Sequence, residues 1–211
     1  MRPAFRVVSP EGFRTDVLSK LSIDPNFTLS DSRYFQLQCP LEIYLDHVQL
    51  PFGVDRNAFG DPTNPTFNIA VSGVKDEWVA FMRELESHLR SQLVSLVVAS
   101  GGSAGESQRT LELKMANGWQ SCLTNRWQKD QVHVRLKVTA DTQWVDGSTA
   151  EVLTHLPHGS YRQHPVSVDI GIRGGYRLPH HRYGLILACQ KIIVYPPTSA
   201  FSSQQWVGVR F

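Results

Sequence analysis

The chain has 211 residues, 41% of them hydrophobic and five of them tryptophan, which is enough apolar material for one packed domain and excludes a disordered chain. The net charge of +2 selects no partner, but its spread does: 9 basic against 12 acidic residues up to Val98, then 12 against 7, with six of the eight histidines in that second part. Charge asymmetry of this kind points to a polyanion partner for the second half.

The cysteines Cys39, Cys122 and Cys189 are odd in number and far apart, with no Cys-x-x-Cys pair. That argues against a zinc ribbon or redox pair and fits reduced thiols inside a cell, in nucleus or cytoplasm. No run approaches a membrane span, and no apolar signal-like segment opens the chain, so no membrane partner is expected.

In chain order, residues 1–32 carry Pro3, Pro10 and Pro25 and read as an N-terminal arm, with an edge strand near Phe5–Val8. Tyr34–Leu37 and Leu41–Leu50 read as strands, the second with Leu41, Ile43 and Leu45 on one face, ending at Pro51-Phe52-Gly53. Residues 55–65 are rich in turn formers, and Thr66–Val71 is a further strand. From Asp76 to Val98, Trp78, Phe81, Met82, Leu85, Leu89, Leu93 and Leu96 recur at three- and four-residue steps. This predicts one long amphipathic helix, with Asp76 as its cap, whose stripe is core. Residues 99–109, centred on Gly101-Gly102-Ser103-Ala104-Gly105, are expected to be a flexible Gly/Ser insertion; no Gly-Lys-Ser/Thr follows, which excludes a phosphate-binding loop. Leu111–Met115 reads as a short strand, and Asn117-Gly118 as a turn.

Two stretches then carry cations in a pattern. In Val132–Val138 the apolar residues alternate inward, which puts His133, Arg135 and Lys137 on one outer face at about 6.6–6.8 Å spacing, comparable to the reach of a nucleotide. Val166–Tyr195 reads as a hairpin: a period-2 arm over 166–173, a connecting loop over 174–183, and an arm from Gly184 that is nearly all apolar, as in a strand buried on both faces. The loop carries Tyr176, Arg177, Arg182 and Tyr183, with Arg173 just before it. Aromatic faces among cations suit a flexible polyanion with stacking bases.

Catalytic signatures are weak. There is no Gly-x-Ser-x-Gly elbow and no His-Glu-x-x-His, and isolated acids such as Asp141, Asp146 and Asp169 make no carboxylate pair. His155, His158, His180 and His181 have no evident cysteine or carboxylate partner, so a zinc hydrolase is a distant third reading and no cofactor is expected.

Strands, one long helix, an insertion, more strands and a closing hairpin describe a mainly β (α+β) chain, an OB-like barrel over 33–197 with a tail at 198–211. The strand into Pro51-Phe52-Gly53, the helix after it, the basic strand 132–138, and the stretch from Gly159-Ser160-Tyr161 through Gly175-Tyr176 and Tyr183-Gly184-Leu185 to Gln190-Lys191-Ile192-Ile193-Val194 carry a resemblance. The sequence resembles the OB-fold single-stranded-DNA-binding proteins of phages and large DNA viruses. The resemblance implies non-catalytic binding of single-stranded DNA in replication, recombination or repair, with RNA as a second candidate ligand and a homo-oligomer as a further candidate partner. It implies Trp119, Trp127, Tyr161, Tyr176 and Tyr183 as stacking rings. Lys114, Arg126, Lys129, Arg135, Lys137, Arg162, Arg173, Arg177, Arg182 and Lys191 would then meet phosphates.

The family's acidic tail is not matched: Phe211 is aromatic, but no acid follows Asp169, so recruitment of replication proteins through such a tail is not expected. The alternative is a β-rich viral structural or assembly protein.

Overall fold

The two long alternating stretches of the sequence form the longest strands of the molecule and pair with each other. The computed structural model describes residues 5–7, 14–25, 33–54, 66–99, 107–125, 131–156, 159–178 and 182–197. The elements run β1 (Phe5–Val7), α1 (Arg14–Lys20), β2 (Tyr34–Gln49), β3 (Phe67–Val71), α2 (Asp76–Ala99), α3 (Gln108–Gly118), β4 (Trp119–Gln120), β5 (Leu123–Thr124), β6 (His133–Val138), β7 (Gln143–Asp146), β8 (Pro165–Leu178) and β9 (Arg182–Val194). The antiparallel β2–β8 ladder sets Leu41 opposite Ile172, Ile43 opposite Ile170 and Leu45 opposite Val168, and all six side chains are buried. Matching apolar faces fix this register, because a slip of one residue would turn every one of them to solvent.

Sheet pairing continues from β8 to β9, from β9 to β6 and from β6 to β3. The ring closes where Gln49 at the end of β2 and Ser72 after β3 exchange two backbone hydrogen bonds of 2.9 Å. The result is a five-stranded Greek-key barrel of the OB type, β2-β3-β6-β9-β8 and back to β2. The barrel is partly open. β6 meets β9 through one parallel pair, Lys137 with Ala188. The free edge of β9 is shared by β4 at Tyr183–Gly184 and by β7 at Lys191–Val194.

The helix α2 has 24 residues, about 36 Å at 1.5 Å per residue. Lys75 precedes it and accepts from Val79 N, so Lys75 and not the expected Asp76 is the cap; Asp76 sits inside the first turn with Glu77, where negative charge is favoured. Its buried stripe, from Trp78 through Met82, Leu85 and Leu89 to Val97, joins the barrel interior in one core. Among the described residues no helix is long and apolar enough to cross a membrane.

Further sequence expectations are corrected. Leu111–Met115 is helical: Ser107 caps α3 by accepting from Thr110 N at 3.2 Å, and Leu111 and Met115, one turn apart, are its buried positions. Five residues carry too few alternations to separate a strand from one helical turn. Part of the N-terminal stretch is not a loose arm, since α1 delivers Val17 and Leu21 to the core, and His88 and Gln92 of α2 both bond Leu21 O. The hairpin's expected loop is largely ladder, with Tyr176 opposite Gly184 and Leu178 opposite Arg182. Finally, β9 alternates rather than being buried throughout: Leu185, Leu187 and Cys189 point inward, and Ile186, Ala188 and Gln190 are half-exposed. Of the insertion expected over 99–109, Ala99 ends α2 and residues 107–109 open α3, so its ends are corrected to helix; residues 100–106, the loop at 55–65 and the tail at 198–211 lie outside the described residues.

Leu89→Ala is expected to cost about 2–5 kcal/mol by denaturant unfolding, against about 0.5 kcal/mol or less for exposed Leu113→Ala. Burial pushes the thiols of Cys122 and Cys189 up, so in the native protein an alkylating reagent near pH 8 should label half-exposed Cys39 alone.

Candidate nucleic-acid interface

Because a strand alternates its side chains, the outward residues of neighbouring strands share one surface. On the outer face of β3, β6, β9, β8 and β2, three depressions of about 420, 410 and 510 Å³ adjoin. The first two share Tyr34 and Ile186, and the second and third share Gly171, Arg173 and Ala188. They form one trough whose floor is the half-exposed face of β9.

The first depression lies where β6 and β9 diverge from their single pair. Asn68, Arg135 and Lys137 line one side, Tyr34 and Tyr176 the other, and Cys122 and Leu185 are among its apolar lining. Tyr34 and Tyr176 are directly opposite on β2 and β8, so both rings leave the same face of the ladder. Tyr34 is 58% exposed, and Tyr176 is half-buried. Room for the Tyr176 ring over β9 exists because residue 184 is glycine: a methyl there would come within 2.6 Å of Tyr176 Oη and 2.8 Å of Gln120 O. Burial pushes the Tyr176 hydroxyl up, while the nearby Arg135 and Arg182 charges pull it back. Arg135 also donates through Nη2 to Ser121 O at 2.9 Å.

Further along, Arg173 serves the second and third depressions and Lys191 the third. The acids of the lining, Asp141 and Asp169, belong to the third alone. The trough is therefore cationic at its Arg135–Lys137 end and of mixed charge at the other.

Of the expected site residues, the trough lining gathers Arg135, Lys137, Arg173, Tyr176 and Lys191. Arg182 is exposed near Tyr176. Others are placed elsewhere. Tyr183, expected to stack on bases, is 2% exposed, with the Arg177 charge near its hydroxyl; a ring buried in the core has no face to offer. Trp119 is half-buried against the core, paired with Tyr183 in the β4–β9 ladder, and does not line the trough. Tyr161 and Arg162 lie beyond the opposite end of the β2–β8 ladder, in the turn that bonds Leu50 and Val54; Tyr161 stacks on Trp144 at 6.5 Å. Lys114 is exposed on α3. Arg126, Trp127 and Lys129 lie outside the described residues, as do His158, His180 and His181.

His133 does not reach the solvent beside Arg135 and Lys137, although strand alternation puts it on their side of β6. It is fully buried, stacked on Phe52 at 5.8 Å, and burial holds its imidazole below the ordinary value. The Pro51-Phe52 turn covers the start of β6, which period-2 alternation cannot foresee. Sequence reasoning missed Tyr34, Asn68 and Gln190. Tyr34 carries no local signal, because its partner Tyr176 is 142 positions away.

Tyr183→Ala is expected to cost roughly 3–5 kcal/mol in denaturant unfolding, as for other buried rings, whereas Tyr34→Ala should change stability by no more than about 0.5 kcal/mol.

No protein-family model matches the chain, and no curated protein matches its sequence. Among solved structures, gp2.5, a single-stranded DNA binding protein encoded by bacteriophage T7, is similar with a TM-score of 0.48 and 9% identity, over 79% of this chain and 98% of that one. The single-stranded DNA-binding protein from bacteriophage Enc34 is similar with a TM-score of 0.47 and 9% identity, over 88% of this chain and 96% of that one. The same phage protein in complex with ssDNA gives a TM-score of 0.44 at 9% identity, over 82% of this chain and 94% of that one.

Proposed function

We propose that the protein binds single-stranded DNA along this trough, without catalysing a reaction on it. The observation that carries the reading is the alignment of Arg135, Lys137, Arg173 and Lys191 with two facing tyrosines on one continuous surface. Cations spaced along strands suit a flexible phosphate chain, and ring faces beside them suit unpaired bases, which a duplex keeps stacked inside. The position supports it as well. In OB barrels the face of the second and third strands takes oligonucleotides, and here those strands are β3 and β6.

From Leu185 to Lys191 the floor spans about 20 Å at 3.3 Å per residue. That fits the short end of the roughly 4–16 nucleotides one such barrel occupies. Four lining cations would release counterions with a log–log salt slope of roughly −3, at about 0.7 per phosphate on a single strand. Roles in replication, recombination or repair follow as the settings in which single strands need a sequence-tolerant binder.

The test is a titration of labelled oligothymidylate at several salt concentrations, with duplex and RNA alongside. Single-stranded DNA should bind more tightly than duplex, with the slope above. Lys137→Ala should flatten that slope by about 0.7. Tyr34→Ala should weaken binding by roughly 5- to 150-fold, the equivalent of 1–3 kcal/mol for one stacked base. Equal affinity for duplex, or binding indifferent to salt, would contradict the reading. Concentration-dependent assembly without oligonucleotide binding would favour a structural protein instead.

A further inference from the structure

Glu86 is an acidic side chain on the buried stripe of α2, 8% exposed. A carboxylate away from water is costly unless hydrogen-bonded. Both of its oxygens are. Oε1 accepts from Cys122 N and Oε2 from Ser121 Oγ, each at 2.7 Å. Those two residues are the link between β4, which pairs with β9, and β5, which pairs with β6. They therefore bridge the opening between β6 and β9.

The same link holds the trough's deepest cation. Arg135 N donates to Cys122 O at 2.8 Å, and Arg135 Nη2 donates to Ser121 O at 2.9 Å. Arg135 in turn lines the same depression as Tyr176, with its charge beside the Tyr176 hydroxyl. A chain of contacts thus runs from the helix through the Ser121-Cys122 link to the guanidinium and one of the stacking rings.

We propose that Glu86 is a positioning residue for this interface: by fixing the Ser121-Cys122 link it aims Arg135, and through it Tyr176, into the trough. The proposal rests on the single-strand reading above. Its sign separates it from plain electrostatics. A negative charge behind a cationic groove should repel phosphates, so neutralising it should tighten binding if charge were all that mattered. Positioning demands the opposite.

The experiment measures oligothymidylate affinity and its salt slope for the full chain, for Glu86→Gln, for Arg135→Ala and for the pair combined, with melting temperatures recorded. Glu86→Gln keeps the shape but replaces one acceptor oxygen with a donor. It is expected to weaken binding by about 3- to 10-fold, within the range for residues that couple through contact, and to flatten the slope. In the Arg135→Ala background it should have no further effect.

Ser121→Ala, which removes one of the two bonds and leaves the carbonyl, should give a smaller loss that also vanishes without Arg135; it decides the matter if Glu86→Gln fails to fold. Tighter or unchanged binding by Glu86→Gln, or losses that simply add to those of Arg135→Ala, would overturn the proposal while leaving the single-strand reading standing. No binding by the unaltered protein would overturn both.

Discussion

The single parallel pair between β6 and β9, Lys137 with Ala188, is the constraint on which the rest of the molecule turns. A fully paired barrel would present an even wall of alternating side chains. Here two strands touch once and then separate, and a short link must fill the gap from inside. That link brings Cys122 into the trough lining and gives Arg135 two backbone carbonyl-bearing neighbours to hold it. The long helix is part of the same device, because its buried carboxylate secures the link from below. Barrel opening, helix packing and groove chemistry are thus one arrangement.

The outer face of β9 follows from this. Strands in the middle of a covered sheet read as continuous apolar runs, and the sequence of β9 has that character. The structure instead leaves Ile186, Ala188 and Gln190 half-exposed between the cations of β6 and β8. An apolar floor between charged lips suits a ligand with flat apolar rings on an anionic backbone. A solvated outer face of an ordinary barrel would have no use for isoleucine and alanine there.

Local periodicity made much of the fold legible. The stripe from Trp78 to Leu96 fixes α2 to within a residue of its end, and the alternation at 41–45 and 166–172 marks the two strands of the β2–β8 ladder. Short elements were not legible: Leu111–Met115 fits a strand or a helical turn equally, and the cap at Ser107 decides it. The site was half legible. Arg135, Lys137, Arg173 and Tyr176 show in sequence as cations and a ring at strand spacing. Tyr183 differs from Tyr176 only in which side of its strand it leaves, and the bulge between Ile172 and Gly175 shifts the parity of β8 before Tyr176. Tyr34 and Glu86 have their partners far away in the chain, so no window of sequence could hold the signal.

The most direct test of the central claim is where an unpaired strand touches the chain. Photocrosslinking an iodouracil-substituted oligonucleotide and sequencing the adducts should return peptides containing Tyr34 and Tyr176, on the face that joins β2, β8, β9 and β6. Adducts concentrated at Tyr161 and Trp144, beyond the other end of the β2–β8 ladder, would contradict the account.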